Sequence, residues 1–284
     1  MLTRRTLLKG AVAGLAGGAA LSSRAAQAAT PAAQVKIRIG SCVIGLPQAK
    51  QAGLDGVEVG VGGPEEKLRI AEAAVRQQYK DQMKETGLVI SAFMMGLLNS
   101  NPLASDPRGP AWLEQSIDAA KDLGAKVILV AFFGKGDLLE GRELKKADVE
   151  VVVRRLKAAA PRAKDAGVIL GIENMLSAKQ NAEILERIGH DSVRIYYDVG
   201  NTTGKGYDVP AEIRLLKDRI AIFHFKDGGN YLGEGKVRFD PIAAAIKDIG
   251  YQGWIVMETS NPSKDAVADA KGNAAYIRKL FGMA

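Results

Sequence analysis

Hydrophobic residues in this chain fall into short β-branched runs that alternate with longer segments of mixed apolar and polar residues. Several runs are apolar almost throughout, for example residues 127–131, as expected for strands that are covered on both faces. We predict eight strands, at residues 35–40, 56–60, 88–94, 126–132, 168–174, 193–199, 220–226 and 254–259. Eight such runs separated by helical patterns indicate repeated parallel β/α units.

Helical patterns fill the segments between these runs. Four of the predicted helices cover residues 64–86, 110–123, 146–166 and 240–249. Each is followed by a glycine, which tolerates the left-handed conformation that commonly ends a helix. Eight β/α units in residues 29–284 match the roughly 250 residues of a typical (β/α)8 barrel, an α/β fold. The alternative is an open doubly wound sheet, but no Gly-x-Gly-x-x-Gly turn follows the first strand.

The first 28 residues have the order of an export signal. Basic residues precede an apolar stretch at 10–21, and Ala26-Gln27-Ala28 forms a small-x-small cleavage site. Residues 3–9 resemble the twin-arginine signal, which implies export of the folded protein by the twin-arginine machinery. We therefore expect a signal peptide at 1–28, a single barrel domain at 29–284, and a periplasmic or secreted location. The apolar stretch is shorter than the roughly 20 residues that cross a bilayer, so no stable membrane anchor is expected.

Charge and composition narrow the classes of function. Four of the 39 Lys and Arg residues, and none of the 32 acids, lie in the first 28 residues, so cleavage lowers the formal charge from +7 to +3. The remaining basic residues are mixed with acids, which favours a solvated surface and argues against a nucleic-acid partner.

A single cysteine, Cys42, excludes an intramolecular disulfide, a cysteine-rich zinc module and an iron–sulfur cluster. Two histidines, His190 and His224, are too few for a three-histidine metal site.

Ionisable residues end five of the predicted strands: Glu58, Glu173, Asp198, His224 and Glu258. Because barrel enzymes form their active sites at the carboxyl ends of the strands, we expect these side chains to converge. Three buried carboxylates beside one imidazole require a cation or protons to offset their charge. The last four residues are therefore a candidate site for one divalent ion. Their donors suit Mn²⁺ first, then Mg²⁺ or Co²⁺, with Zn²⁺ as a further option. Each acid taken alone could instead cap a helix or form a salt bridge.

Six short motifs follow one another in a characteristic order: Gly56-Val57-Glu58, Gly171-Ile172-Glu173-Asn174, Tyr197-Asp198-Val199-Gly200-Asn201, His224-Phe225-Lys226-Asp227, Gly233-Glu234-Gly235 and Met257-Glu258-Thr259. With them, residues 35–281 resemble the sugar phosphate isomerase/epimerase superfamily of xylose isomerase-like barrels. The resemblance implies that Glu173, Asp198, His224 and Glu258 bind one divalent metal. It also implies that Glu173 and Glu258 are catalytic and move protons on opposite faces of a carbohydrate substrate.

The chemistry of such a site agrees with these implied roles. A metal that binds a ketone oxygen and the adjacent hydroxyl acidifies the C–H between them and stabilises an enediolate. Return of the proton to the opposite face gives epimerisation, whereas return to the neighbouring carbon gives isomerisation. Our leading hypothesis is a divalent-metal-dependent isomerase or epimerase of a keto-sugar or polyol-derived ketone.

Four further residues are candidate substrate contacts: Glu58, Asn201, Lys226 and Arg238. Glu58 could instead orient a ligand or brace the barrel floor, and Lys226 could form an ion pair with Asp227. Arg238 could be an ordinary surface residue. Asn201 stands where some characterised epimerases have histidine, so their substrate specificity does not transfer directly.

Two other functions remain open at this point. Phosphorylated sugars are scarce outside the cytoplasm, so an exported lyase or hydratase could use the same enolisation on 3-keto-glycosides or inosose-type substrates. A non-catalytic periplasmic sugar-binding protein is the second alternative. A DNA-repair endonuclease on this barrel would need a cluster of several metals with multiple histidines. The two histidines of this chain argue against that function. Assembly into a homo-oligomer is left open.

Overall fold

The computed structural model describes residues 36–283, and the predicted signal peptide lies outside the described residues. The strands are β1 (Ile37–Ser41), β2 (Gly56–Gly60), β3 (Val89–Met95), β4 (Val127–Ala131), β5 (Leu139–Glu140), β6 (Glu143–Leu144), β7 (Ile169–Glu173), β8 (Val193–Asp198), β9 (Ile220–Phe225) and β10 (Gly253–Met257). The α-helices are α1 (Leu46–Gln51), α2 (Ala73–Thr86), α3 (Gly109–Leu123), α4 (Lys146–Ala166), α5 (Ala178–Ile188), α6 (Val199–Gly204), α7 (Val209–Leu216), α8 (Phe239–Asp248) and α9 (Ala266–Phe281).

Eight of the strands form a closed parallel barrel in the order β1-β2-β3-β4-β7-β8-β9-β10. The barrel closes where β1 pairs with β10, with Ile37 opposite Gly253 and Ser41 opposite Met257. These eight strands are the eight that the sequence predicts, so the (β/α)8 fold is confirmed and the open sheet is excluded. The remaining strands, β5 and β6, form a small antiparallel hairpin after β4.

Alternate residues of each barrel strand face opposite sides of the barrel wall. In β4, Val127 and Leu129 belong to the cluster inside the barrel, whereas Ile128 and Val130 belong to the larger cluster that includes the surrounding helices. This alternation explains why the strand is apolar throughout. Tyr196, Trp254 and other side chains fill the interior, so the barrel is a packed core and not a pore.

The helix predicted at 64–86 is shorter in the structure, and this boundary was wrong. The chain runs irregularly after β2, makes a 3-10 turn at Arg69–Ala71, and α2 begins at Ala73. The amide of Leu68 donates to the side chain of Gln115 on α3 over 2.7 Å, and the amide of Ile70 donates to the carbonyl of Val61 over 3.1 Å. These tertiary hydrogen bonds replace the first turns of a helix.

The other three predicted helices agree with α3, α4 and α8 to within two residues, and the glycines that follow the four helices have φ values between 64° and 76°. The segment between β3 and α3 contains one 3-10 turn at Gly96–Asn99 and forms a long loop. Arg155 of α4 anchors this loop by donating to the carbonyls of Leu103 and Asp106, both over 2.6 Å. Among residues 36–283, no helix has the length and hydrophobicity to cross a bilayer.

Candidate active site

The strand-end residues lie together because their positions match those of the barrel's interior side chains. Asp198 follows Tyr196 by two residues, and Glu258 follows Val256 by two, and both Tyr196 and Val256 lie in the interior cluster. Side chains two residues apart on a strand share a face, so Asp198 and Glu258 also face the inside of the barrel. Both are polar and lie at the carboxyl ends of their strands. The apolar core of the barrel therefore ends in a polar layer.

His224 lies at the centre of this layer and is fully buried. Its Nδ1 is 3.0 Å from Glu173 Oε1, 3.5 Å from Glu258 Oε2 and 3.9 Å from Asp198 Oδ2. One potential ligand atom from each of these four residues lies within 4.8 Å of all the others. The structure thus brings together the four residues that the sequence predicts as metal ligands.

Asp198 shows that this cluster fits a cation. Its Oδ1 accepts a hydrogen bond from the amide of Asn201 over 2.7 Å, at the start of α6. Its Oδ2 is buried and forms an ion pair with Lys226 Nζ over 3.0 Å, without a hydrogen bond of ordinary geometry within residues 36–283. Within residues 36–283, the ion pairs of four carboxylates, those of Glu58, Glu173, Asp198 and Glu258, involve two groups that can carry positive charge, His224 and Lys226. An oxygen-rich set with excess negative charge is a donor set suited to a divalent ion.

Burial and neighbouring charges set the proton affinities in this layer. Burial raises the pKa of Glu173 to about 7, against the opposing effect of His224, and burial likewise raises the pKa of Asp198. Burial opposes the charge of His224, but Glu173 and Glu58 outweigh it and hold its pKa well above the usual value. Burial also acts on the more exposed Glu258, but His224 and Lys226 outweigh it and lower its pKa. Burial thus dominates the pKa of Glu173, whereas the neighbouring positive charges dominate the pKa of Glu258.

Glu58 lies behind His224 and is buried. Its Oε1 is 3.2 Å from His224 Nε2, and its Oε2 accepts a hydrogen bond from the Tyr196 hydroxyl over 2.6 Å. Tyr196 is not among the residues predicted from the sequence, because it stands inside an apolar run beside a second tyrosine. Its spacing of two residues from Asp198 is the signal that could have identified it as facing inward.

Lys226 joins two of the carboxylates. Its Nζ lies 2.7 Å from Glu258 Oε2 and 3.0 Å from Asp198 Oδ2. Lys226 therefore pairs with these two residues and not with Asp227, the partner that the sequence offered as an alternative. A Cβ atom on Gly200 would lie 2.5 Å from Lys226 Cγ, and glycine at this position therefore makes room for the lysine. Burial alone would lower the pKa of Lys226, but Asp198 and Glu258 outweigh it and raise that pKa.

A cavity of about 670 Å³ opens beside Lys226 at the carboxyl end of the barrel, and Asn201 also lines it. This volume is within the usual range for small-molecule sites. Arg238 is exposed and lines a separate cavity of about 380 Å³ with Lys236 and Tyr207. Of the four predicted substrate contacts, Lys226 and Asn201 line this cavity, whereas Glu58 and Arg238 do not. The four candidate ligands are not among its lining residues, and Lys226, which pairs with Asp198 and Glu258, connects the cavity to them.

The carboxylate of Asp227 organises the loop between β9 and α8. It accepts hydrogen bonds from the amides of Gly233, Gly235 and Val237 over 2.8 to 3.1 Å. A Cβ atom on Gly235 would overlap this carboxylate, which explains the glycine in the Gly233-Glu234-Gly235 motif. The loop carries Lys236 to the rim of the cavity, so Asp227 fixes part of the wall beside the candidate site.

The Gly235→Ala substitution should destabilise the protein, because the added methyl group must displace the Asp227 carboxylate or the loop. Overpacking of this kind costs about 1–3 kcal/mol in the free energy of unfolding. Denaturant unfolding of both proteins measures the difference. Gly229→Ala in the same loop is the matched control, since a Cβ atom there meets nothing within 4 Å. Equal stabilities for the two variants would contradict the role given to Asp227.

Comparisons with known proteins agree with this architecture. The family described as Xylose isomerase-like TIM barrel matches residues 46–280. SgbU of Escherichia coli K12, provisionally named an L-ribulose-5-phosphate 3-epimerase, is 30% identical over 239 residues, covering 75% of this chain and 82% of SgbU. The D-psicose 3-epimerase of Enterocloster bolteae is 25% identical over 263 residues, covering 76% of this chain and 86% of that enzyme.

A solved structure supports the fold. The 3-keto-D-glucoside 4-epimerase YcjR of E. coli superposes with a TM-score of 0.70 at 17% identity, over 86% of this chain and 99% of YcjR. At that identity the likeness concerns the fold alone, whereas the family match covers residues 46–280 and the two relatives cover about three quarters of this chain. The chain belongs to the xylose isomerase-like TIM barrel family, as an enzyme whose named relatives are sugar epimerases.

Proposed function

We propose that this protein is a divalent-metal-dependent epimerase of a ketose or related keto-sugar. The observation that carries the proposal is the convergence of Glu173, Asp198, His224 and Glu258, with one potential ligand atom of each within 4.8 Å of the others. The names of SgbU and of the D-psicose enzyme support inversion beside a sugar carbonyl as the reaction. The preferred ion is Mn²⁺, since three carboxylate oxygens and one imidazole suit it; Mg²⁺, Co²⁺ and Zn²⁺ are alternatives.

In this proposal, the same four residues hold the ion. A divalent cation bound there supplies a Lewis acid that acidifies the C–H beside the substrate carbonyl. His224 contributes Nδ1, which already faces the three carboxylates, and Asp198 contributes the buried Oδ2 that has no hydrogen bond in the described residues. Lys226 keeps a positive charge next to Asp198 and Glu258. Its ammonium group can donate a hydrogen bond to a substrate oxygen.

In this proposal, Glu173 and Glu258 are the two proton carriers. Glu173 ends β7 and Glu258 follows β10, and the two strands between them in the barrel, β8 and β9, carry Asp198 and His224. A carboxylate oxygen of one glutamate takes the proton from the carbon, and the C–H electron pair forms the C=C bond as the carbonyl oxygen gains negative charge. The carboxyl group of the other glutamate then donates its proton to the opposite face of that carbon, which inverts it and restores the ketone.

The cavity beside Lys226 is the proposed binding space for the sugar, with Asn201 and Lys226 as contacts. Arg238 could reach only a substituent that extends to the neighbouring cavity. In this proposal the folded protein is exported and the mature chain begins at Ala29, which favours unphosphorylated substrates. The N-terminal mass of the protein recovered from the periplasm tests the proposed export and cleavage. The fold of a 3-keto-D-glucoside 4-epimerase supports including 3-keto-glycosides among the candidates.

Transfer of solvent deuterium into candidate substrates, followed by NMR, tests the proposal. The panel contains ketopentoses and ketohexoses with and without phosphate, 3-keto-glycosides and inososes, each with Mn²⁺-loaded and chelator-treated protein. We expect metal-dependent deuterium incorporation with the appearance of the epimer. An aldose product would instead indicate an isomerase, and an eliminated product would indicate a lyase or hydratase. Tight sugar binding without deuterium incorporation would replace the epimerase proposal with a sugar-binding role.

A further inference from the structure

Two residues behind the candidate ligands form a chain of hydrogen bonds that ends at His224. Glu58 is 3% exposed, and each of its carboxylate oxygens has one partner: His224 Nε2 at 3.2 Å and the Tyr196 hydroxyl at 2.6 Å. The Tyr196 ring also contacts the imidazole, with 4.5 Å between the ring centres. All three side chains are buried, so neither the ring nor the carboxylate is free to turn into solvent.

We propose that Glu58 and Tyr196 are positioning residues that hold the proton of His224 on Nε2 and thereby present Nδ1 to the metal. This inference rests on the proposed function, since it concerns the same metal centre. A carboxylate behind a metal-bound histidine fixes the ring orientation and tautomer and increases the basicity of the ligating nitrogen. Tyr196 completes the arrangement, because its hydroxyl donates to the second oxygen of Glu58 and so fixes the rotation of that carboxylate.

Cys42 is the other group near this side of the imidazole. Its Sγ lies within 4.8 Å of ligand atoms of Glu58 and His224, and it contacts the Met257 carbonyl at 3.6 Å. A thiol is a weak acceptor, whereas a carboxylate is a strong one. The geometry therefore favours Glu58 as the acceptor of the Nε2 proton, and Cys42→Ala becomes a useful control.

The first measurement is the affinity for Mn²⁺ of the purified mature protein and its variants. We expect Glu58→Ala to weaken binding by about 10- to 100-fold, the usual effect of removing such a partner. Glu58→Gln should lose less, because its amide oxygen can still accept from Nε2. Tyr196→Phe should also weaken binding, by less than Glu58→Ala, since only the anchor of Glu58 is lost. Cys42→Ala should bind like the wild type.

Tyr197→Phe is the matched control for Tyr196→Phe. Tyr197 is the next residue of the same strand, and its hydroxyl donates to a different carboxylate, Glu212, over 3.1 Å. Tyr197 belongs to the larger cluster that includes the surrounding helices, and not to the cluster inside the barrel. The substitution removes the same hydroxyl–carboxylate hydrogen bond, so it should affect stability but leave the affinity for Mn²⁺ unchanged.

The second measurement is the ¹⁵N NMR spectrum of the imidazoles in the zinc-loaded protein. The chain has two histidines, so His190→Gln assigns the remaining signals to His224. We expect a protonated Nε2 with a slowly exchanging hydrogen in the wild type, and faster exchange of that hydrogen in Glu58→Ala and Tyr196→Phe.

Different results identify different failures. If the wild type binds no divalent ion, the proposed metal centre is wrong and this inference is overturned with it. If the wild type and Glu58→Ala bind the ion equally well and the His224 spectrum is unchanged, only the positioning role is wrong. Should the alanine variant not fold, the same result in Glu58→Gln and Tyr196→Phe leads to the same conclusion. Loss of affinity in Tyr197→Phe as large as in Tyr196→Phe would assign the effect to general destabilisation.

Discussion

Inversion of the substrate carbon should fall by about 10²- to 10⁴-fold in Glu258→Gln, because an amide can neither accept nor return the proton. The same loss is expected in Glu173→Gln. The two variants should nevertheless keep one half of the reaction each: one epimer should still exchange its hydrogen with solvent through the glutamate that remains, without being inverted. NMR measures the incorporation of deuterium and the inversion separately for each epimer.

Because both glutamates are also proposed ligands, the metal content of each variant must be measured alongside the exchange. Glutamine keeps one oxygen donor, so a metal-loaded variant that exchanges without inverting would isolate the proton-transfer role. Glu234→Gln is the control, since it alters an exposed carboxylate in the loop between β9 and α8. Normal inversion in both variants would show that other groups carry the protons.

Addition of Mn²⁺ should raise the midpoint of thermal unfolding. A ligand that binds only the folded state adds about 2.7 kcal/mol of stability when its concentration is 100 times its Kd. One kcal/mol shifts the midpoint by about 2–4 °C in domains of 150–250 residues, so the expected increase is about 5–11 °C. The reason is local, since the ion offsets the charge of carboxylates whose cationic partners in the described part of the chain are His224 and Lys226. Scanning calorimetry with and without chelator measures the shift, and activity should be lost with the chelator.

Asp198→Ala should abolish most of this thermal shift, because Asp198 supplies the buried oxygen without a hydrogen bond in the described part of the chain. Asp248→Ala is the matched control: Asp248 is half exposed and pairs with Arg214 on the surface. Such a surface pair contributes at most about 1 kcal/mol, and its loss should leave the metal-induced shift intact. A shift that persists in Asp198→Ala would place the ion elsewhere.

The barrel was predictable from sequence because its strands are covered on both faces and its helices end in glycine. The start of α2 was not predictable, since residues before it make hydrogen bonds to Gln115, 47 residues away. The β5–β6 hairpin was missed because each strand has only two residues and gives no hydrophobic period. Local patterns therefore located the elements, while contacts between distant segments set the boundaries that were wrong.

The candidate ligands were visible because each one ends an apolar run. Tyr196 was not visible in the same way: it and Tyr197 are chemically identical neighbours, yet one hydroxyl meets Glu58 inside the barrel and the other meets Glu212 outside it. The partner of Lys226 was also hidden. Asp227 is adjacent in sequence, but a loop that folds back supplies three amides to its carboxylate and leaves the lysine to residues on other strands.

The filled interior of the barrel has a kinetic consequence. Tyr196, Trp254 and their neighbours occupy the space beneath the polar layer, so the described barrel offers the sugar an approach from the carboxyl end and no passage through its centre. For the proposed epimerase, a substrate and its epimer then share one entrance and one binding site. We therefore expect each epimer to inhibit the other's conversion competitively, and net turnover to slow as the mixture nears equilibrium, without any separate regulatory site.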